Sequence, residues 1–322
     1  MSKKTVIVVC PNPLDATSFY RCAGPLTSLV KEGHIDVVFD NKLDWPTLKI
    51  ADLVFFQRPG GEDAVELLKK AKDASIPVWA DYDDLLVSVP KSNPNHALYS
   101  KPEVQSSVWA FLQHSEVLSV STQFLADQFK AARTAAPVVI PNAWDDKLLP
   151  TKFDAAKPAI VWRGSATHDE DLYSIHNALP KLKDLDWNFI GQPFWLTLSQ
   201  LKEYSLVPWK DIHTYYKVLE YIRASVQIAP LADNGFNRCK SNIAWIEATR
   251  VGSIVVAPDW AEWQKPGVYN YGGAKSFADL VKHAYDDLDL VKKLNALSWE
   301  YIEANLRLSN INKKRLEIIE GL

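Results

Sequence analysis

Five polar clusters in this chain interrupt apolar or regular stretches, and their residue types could bind an anion or handle a proton. The segment Trp162-Arg163-Gly164-Ser165-Ala166-Thr167 stands between a strand-like run and a helical one. Gly164 would let backbone approach a ligand, the following N–H groups and helix dipole favour negative charge, and Arg163 adds a forked cation. A plain turn capped by Ser165 or Thr167 is the alternative reading.

The second cluster runs from Asp233 and Asn234 through Arg238, Cys239, Lys240, Ser241 and Asn242. A cation at the positive end of a helix is unfavourable unless an anion binds there. Reading a helix over residues 239–251 puts Lys240 and Glu247 on one face, about two turns or roughly 10 Å apart. That spacing suits a diphosphate at Lys240 and a ribose at Glu247; the bland reading is a solvated lysine and an exposed glutamate.

The remaining clusters lie in the first half, where Ser18-Phe19-Tyr20-Arg21, Arg58-Pro59-Gly60-Gly61 and Asp81-Tyr82-Asp83-Asp84 each follow a strand-like run. An arginine followed by proline and two glycines is rarely needed for a turn alone. Asp81 and Asp83 are candidate catalytic carboxylates, and caps for a turn are the alternative. An Asp-x-Asp spacing could also hold a divalent metal on a nucleotide diphosphate. The seven histidines show no zinc-binding spacing, and we expect no metal.

Positioning these clusters falls to an alternating chain. Short runs rich in β-branched residues at 5–10, 35–39, 52–57, 77–80, 117–120 and 138–140 alternate with helical spacing at 18–32, 62–74, 104–114 and beyond Thr122. Prolines punctuate 141–158, and alternation restarts with strands at 159–162, 187–190, 226–229 and 253–257 around helices at 169–183, 212–223 and 239–251. The pattern predicts an α/β protein with two Rossmann-like doubly wound parallel sheets facing a cleft. Residues 1–150 form the first domain and 151–296 the second, followed by a helical tail over 297–322 that packs back across both. The last 45 or so residues read as wholly helical, with Leu288, Val291, Leu294, Leu297, Ile302 and Leu306 as the apolar face.

Length and composition agree with two soluble domains: 322 residues, 47% hydrophobic and 23% charged, with Lys plus Arg at 36 against Asp plus Glu at 39. A nucleic acid would have to be met by a local patch, for which Arg21, Arg58 and Lys91 are available. Three cysteines without metal or disulfide spacing point to a reducing compartment, the cytoplasm, and no run is long enough to span a bilayer. Neither a G-x-G-x-x-G nor a Walker A motif occurs.

The stretch IAPLADNGFNRCKSNIAWIEATRVGSIVVAPDW resembles the donor-binding signature of GT-B glycosyltransferases, glycosyltransferase family four above all. The resemblance implies that Lys240 contacts the donor diphosphate and Glu247, the second acid of a Glu-x7-Glu pair, holds the ribose; the first acid is replaced by Cys239. It extends to Pro141-Asn142, Arg163-Gly164-Ser165 and, more weakly, residues 207–229, which include Trp209 as a platform for the donor base. It implies a metal-independent, retaining transferase of bacterial or bacteriophage type using a nucleoside diphosphate sugar, UDP-linked, with no other cofactor. Substrate contacts are expected from Tyr20, Arg21, Arg58, Arg163, Gly164, Ser165, Trp209, Asn234, Lys240, Ser241 and Glu247, the first three on the acceptor-side domain. The acceptor hydroxyl could belong to a glycan or to a hydroxymethylated base in phage DNA. A two-domain protein that only binds a small anion or nucleotide sugar is the competing reading, and oligomeric state stays open.

Overall fold

Two separate sheets, each of six parallel strands, organise the chain. The structure, a computed structural model, describes residues 3–155 and 157–322. The first sheet contains β1 (Lys4–Val9), β2 (Ile35–Phe39), β3 (Leu53–Gln57), β4 (Val78–Tyr82), β5 (Val117–Val120) and β6 (Val138–Val139), in the order β2-β1-β3-β4-β5-β6. The second contains β7 (Lys157–Gly164), β8 (Trp187–Gly191), β9 (Ser205–Val207), β10 (Ala224–Ile228), β11 (Ile254–Pro258) and β12 (Tyr269–Tyr271), in the order β12-β11-β10-β7-β8-β9. Helices cover both faces of each sheet, so β3, β4, β8, β10 and β11 are buried along their whole length. That explains why β3 (LVFFQ) and β11 (IVVAP) read as near-continuous apolar runs without alternation. The doubly wound α/β architecture expected from the alternating pattern is the one observed.

Strand order reverses between β1 and β3 in the first sheet and between β7 and β10 in the second. Such switch points open a crevice at the carboxyl ends of the strands. Both crevices face one cleft, where Asp15 and Arg58 follow β1 and β3, and Arg163 and Ala229 belong to the ends of β7 and β10.

Several local expectations give way to tertiary constraints. Asp81 and Tyr82 lie inside β4 and not in a turn. The helix expected over 239–251 begins only at Ile243; Asn234 caps a separate short helix, Gly235–Arg238, and Lys240 to Asn242 form the loop between them. The helix expected over 169–183 breaks into Asp169–Ser174 and a 3₁₀ segment, His176–Lys181, which contains Pro180. The first helical run starts at Ala16, capped by Asp15, and carries a π-helical stretch, Phe19–Ala23, that re-aims the side chains of Tyr20 and Arg21.

Three helices, Ala274–Asp286, Leu288–Asn305 and Leu308–Gly321, end the chain. Val291, Ile302 and Leu306 are buried as the apolar spacing implied, whereas Leu288 and Leu297 are exposed. The last helix leaves the second sheet and returns to the first: Ile319 joins the core around Val6, Val8 and Leu26, and Asn312 Nδ2 donates to the Pro25 carbonyl at 2.9 Å. Trp144 of the connecting segment exchanges backbone hydrogen bonds with Leu306 and Leu308, so the two crossings between the halves are tied together.

Candidate active site

Across the cleft the halves are in contact. Phe236 and Cys239 of the second half join the apolar core of the first, Thr122 Oγ1 donates to the Cys239 carbonyl at 2.9 Å, and Asn142 Nδ2 donates to Ser241 Oγ at 2.8 Å. Between the facing strand ends lies a cavity of about 540 Å³, with a smaller extension of about 110 Å³ that shares part of its wall. Arg58, Asp83, Arg163, Gly164, Ser165, Trp209, Lys240 and Ser241 line the main cavity; Tyr20, Arg21 and Glu247 line the extension. Asp81 and Asn234 line neither.

Asp81 is only 2% exposed and both carboxylate oxygens face Arg21, with Nε at 2.8 Å and Nη2 at 2.7 Å; Ser119 Oγ donates as well. Arg21 spends its remaining Nη1 on the Ile140 carbonyl and Asn142 Oδ1. The pair therefore braces β4 against the first helix and the connecting segment, and Arg21 has no fork left for a phosphate. Asn234 is likewise occupied, its Oδ1 accepting from Asn237 N at 2.8 Å as a helix cap.

Two residues beyond Asp81, the chemistry changes. Arg58 sits in the left-handed region (φ +51) at the end of β3, a costly conformation for a non-glycine residue, which places its guanidinium against Asp83 Oδ1 (Nε 2.9 Å) and Asp84 Oδ2 (Nη2 2.7 Å). Lys240 reaches Asp84 Oδ1 across the cleft at 3.4 Å and lies 4.7 Å from the Phe236 ring centroid. Burial raises the Asp83 carboxyl above its ordinary range against the pull of Arg58, with the Asp84 charge adding to the rise. Burial opposes ionisation of Asp84 too, yet Lys240 and Arg58 hold its carboxyl below the usual value. Arg58 leaves Asp83 Oδ2 without a hydrogen-bond partner among the described residues.

Glu247 anchors the other side and is 5% exposed. Its Oε2 accepts from Arg163 (Nε 3.0 Å, Nη2 2.9 Å) and Tyr215 (2.8 Å), while its Oε1 accepts from Tyr20 of the first half at 2.6 Å, which in turn accepts from Tyr216. Burial, reinforced by the Glu247 charge, pushes all three tyrosine hydroxyls well above their ordinary values, so they stay protonated as donors. Because Lys240 lies in the loop before the helix, it and Glu247 do not share a helix face. They reach the same cleft from two directions.

Gly164 and Gly191 bring the ends of β7 and β8 together: a Cβ on Gly191 would sit 2.0 Å from the Gly164 carbonyl, and one on Gly164 2.6 Å from the Trp162 ring. Trp209 is about half exposed at the cavity wall beside them. Asp171, buried, accepts from His168 Nδ1, Ala232 N and Asn237 Nδ2, and so fixes the 232–237 loop against the start of the second sheet. Sequence reasoning missed Asp171, Tyr215 and the loop residues Asn93, Asn95 and Tyr99, which line the cavity or hold its wall. Their partners lie far along the chain, and only the acidic first turn of residues 169–171 offered any signal. Among the described residues no group of three or more His, Cys, Asp or Glu could hold a metal, and no helix is long and apolar enough to cross a membrane.

No protein-family model and no curated protein matches this sequence. Solved structures do match in shape. The chain is similar to Anabaena Alr3699/HepE, solved in complex with UDP-glucose, at TM-score 0.69 and 13% identity, covering 99% of this chain and 100% of that one. It is similar to a glycosyltransferase from Rickettsia africae ESF-5 at TM-score 0.62 and 13% identity over 100% and 99% of the two chains. An alpha-glucosyltransferase in complex with UDP and a 13-mer DNA containing an HMU base matches at TM-score 0.64 and 11% identity over 99% and 100%. At such identity the likeness establishes architecture, and the architecture is the GT-B fold of two facing α/β domains with a returning C-terminal helix.

Proposed function

We propose that the protein is a glycosyltransferase that moves a sugar from a nucleoside diphosphate donor to an acceptor hydroxyl with retention of anomeric configuration. The observation that carries this reading is the state of Arg163 and Lys240. Both project from the strand and loop ends at the second switch point into the cleft cavity, and each is held there by a carboxylate, Glu247 or Asp84, that an incoming diphosphate can displace. The UDP and UDP-glucose held by the structural relatives support a UDP-linked donor.

On this reading the bond between the anomeric carbon and the diphosphate oxygen breaks, and its electron pair leaves with the diphosphate. Arg163, Lys240 and the N-terminal end of the helix Ile243–Arg250 stabilise that growing negative charge. The acceptor oxygen bonds to the same carbon from the face the diphosphate vacates and passes its proton to the departing phosphate oxygen. Asp83, on the opposite wall, stabilises positive charge on the sugar ring. No step calls for a metal.

Thermal unfolding with UDP, GDP, ADP and their sugars, followed by an assay for nucleotide release, tests the proposal. Stabilisation by one nucleotide sugar together with its slow hydrolysis is expected. A stabilising nucleotide sugar that is never cleaved, with or without acceptors, would make the protein a binder and overturn the enzymatic reading.

A further inference from the structure

The cations of the cleft are already committed to carboxylates of the protein. Arg21 is bonded to Asp81, Arg58 to Asp83 and Asp84, Arg163 to Glu247, and Lys240 to Asp84. Lys210 is the only lysine or arginine lining the cavity or its extension that lacks an ion pair among the described residues. Asp15, whose side chain caps the first helix, adds a further acid. With Asp81 beneath Arg21, five cations face five carboxylates, and His168 is bonded to Asp171. The site is therefore neutral before a donor arrives, and negative once the diphosphate is in it.

The wall contributed by the first half is more one-sided. Three carboxylates, Asp15, Asp83 and Asp84, stand there against the single cation Arg58, among the hydrogen-bonding side chains of Thr17, Asn93, Asn95 and Tyr99. Lys91 and Lys101 of the same loop are exposed and do not line the cavity. A duplex brings one negative charge per ~1.7 Å of axis and binds through cations free to displace its counterions. Arg21 and Arg58, the cations the sequence offered for such a groove, are not free. Hydroxyl, amide and carboxylate groups lining a concave wall instead match the alternating donors and acceptors of sugar hydroxyls.

Resting on the glycosyltransferase reading above, we infer that the acceptor is an uncharged glycan, received on the wall formed by Asp15, Thr17, Asn93, Asn95 and Tyr99, and not the phosphate-backed base of a nucleic acid. The acceptor's ring hydroxyls bond to this wall while the hydroxyl that is to be glycosylated points at the donor held by the second half.

The test incubates the full-length protein with radiolabelled UDP-glucose and, in separate reactions, a panel of uncharged oligosaccharides and a short duplex carrying a hydroxymethylated pyrimidine, while following UDP release. Label should enter at least one uncharged oligosaccharide, at a rate that changes less than about twofold between 0.05 and 0.2 M salt, and none should enter the duplex. For comparison, an acceptor held by six to ten phosphate contacts loses ~10³-fold or more in affinity over that range. Asn95→Ala, at an exposed loop position, should raise the KM for the labelled glycan about two- to tenfold, the loss of one neutral hydrogen bond. Label in the duplex, or UDP release with no label in any uncharged oligosaccharide, overturns the acceptor assignment and leaves the transferase reading standing. No UDP release under any condition strikes at the transferase reading itself.

Discussion

Asp81 and Asp83 are two residues apart in one motif, each bonded to an arginine, yet they belong to different kinds of structure. Asp81 is sealed inside β4 with Arg21, whose bidentate bond it shares with Ser119. Asp83 has left the strand, keeps 16% of its side chain exposed, and faces the cavity with Asp84, Arg58 and Lys240. Identical chemistry does two jobs because one pair is closed to ligands and the other is not. A closed pair braces the fold, while an open cluster has charges that a substrate can exchange. Arg315 sharpens the contrast: buried beside Arg21, its guanidinium is pushed down to about 9 by burial and by the Arg21 charge, with Asp81 pulling it back.

The largest expected effect therefore falls on the closed pair. Asp81→Asn strands the buried Arg21 charge and should destabilise the protein by about 3–5 kcal/mol, read from chemical denaturation. A loss below ~1 kcal/mol would mean that Arg21 finds compensation and that the distinction between the two pairs is false.

Glu262 extends the comparison to an acid with no ion pair among the described residues, next in sequence to the cavity residue Trp263. Burial raises its carboxyl to about 7, with Lys265 opposing. A folded-state value raised above the unfolded one gives stability that is full below the ordinary 4.5 and is lost as pH rises through about 7. Glu262→Gln should abolish that loss, so the variant gains on the native protein by up to about 3 kcal/mol between pH 4.5 and 8. Parallel stability curves for the two proteins would refute the assignment.

In the open cluster the effects should appear in function. Lys240→Ala is expected to cost transfer about 1.5–3 kcal/mol, tenfold to over a hundredfold in kcat/KM, with little change in folding stability. Unaltered turnover would remove the lysine from the donor site. The smallest effect belongs to Trp209→Ala, where loss of a stacking face of about 0.5–1.5 kcal/mol should raise donor KM by two- to tenfold and leave kcat alone. A change in kcat with constant KM would place the tryptophan elsewhere in the cycle.

The contrast also marks what could be read before the fold was known. Buried parallel strands declare themselves locally, since β3 and β11 are apolar on both faces. The role of Asp81 did not, because the arginine that neutralises it lies 60 residues earlier in the chain. Cys239 continues the apolar spacing of Ile243 and Ile246, yet residues 239–242 stay outside the helix. The Asn234 cap, the buried Asp171 contacts and the docking of Cys239 against Thr122 hold that segment as a loop. Tertiary bonds won over local propensity there. Arg163, Lys240 and Glu247 nevertheless reach the cleft, because a strand end and a helix start at a switch point leave few other places for them to go.

Comparing Asp83→Asn with Lys240→Ala tests the central claim most directly: the second half holds the donor diphosphate, and the first half acts on the reacting sugar. UDP affinity is measured by calorimetry and glucose transfer from UDP-glucose by UDP release, on both variants and the native protein. Lys240→Ala should weaken UDP binding about tenfold or more, while Asp83→Asn should leave UDP affinity within about twofold and lower transfer at least ~10²-fold. Equal loss of UDP affinity in both variants, or full transfer by Asp83→Asn, would contradict it.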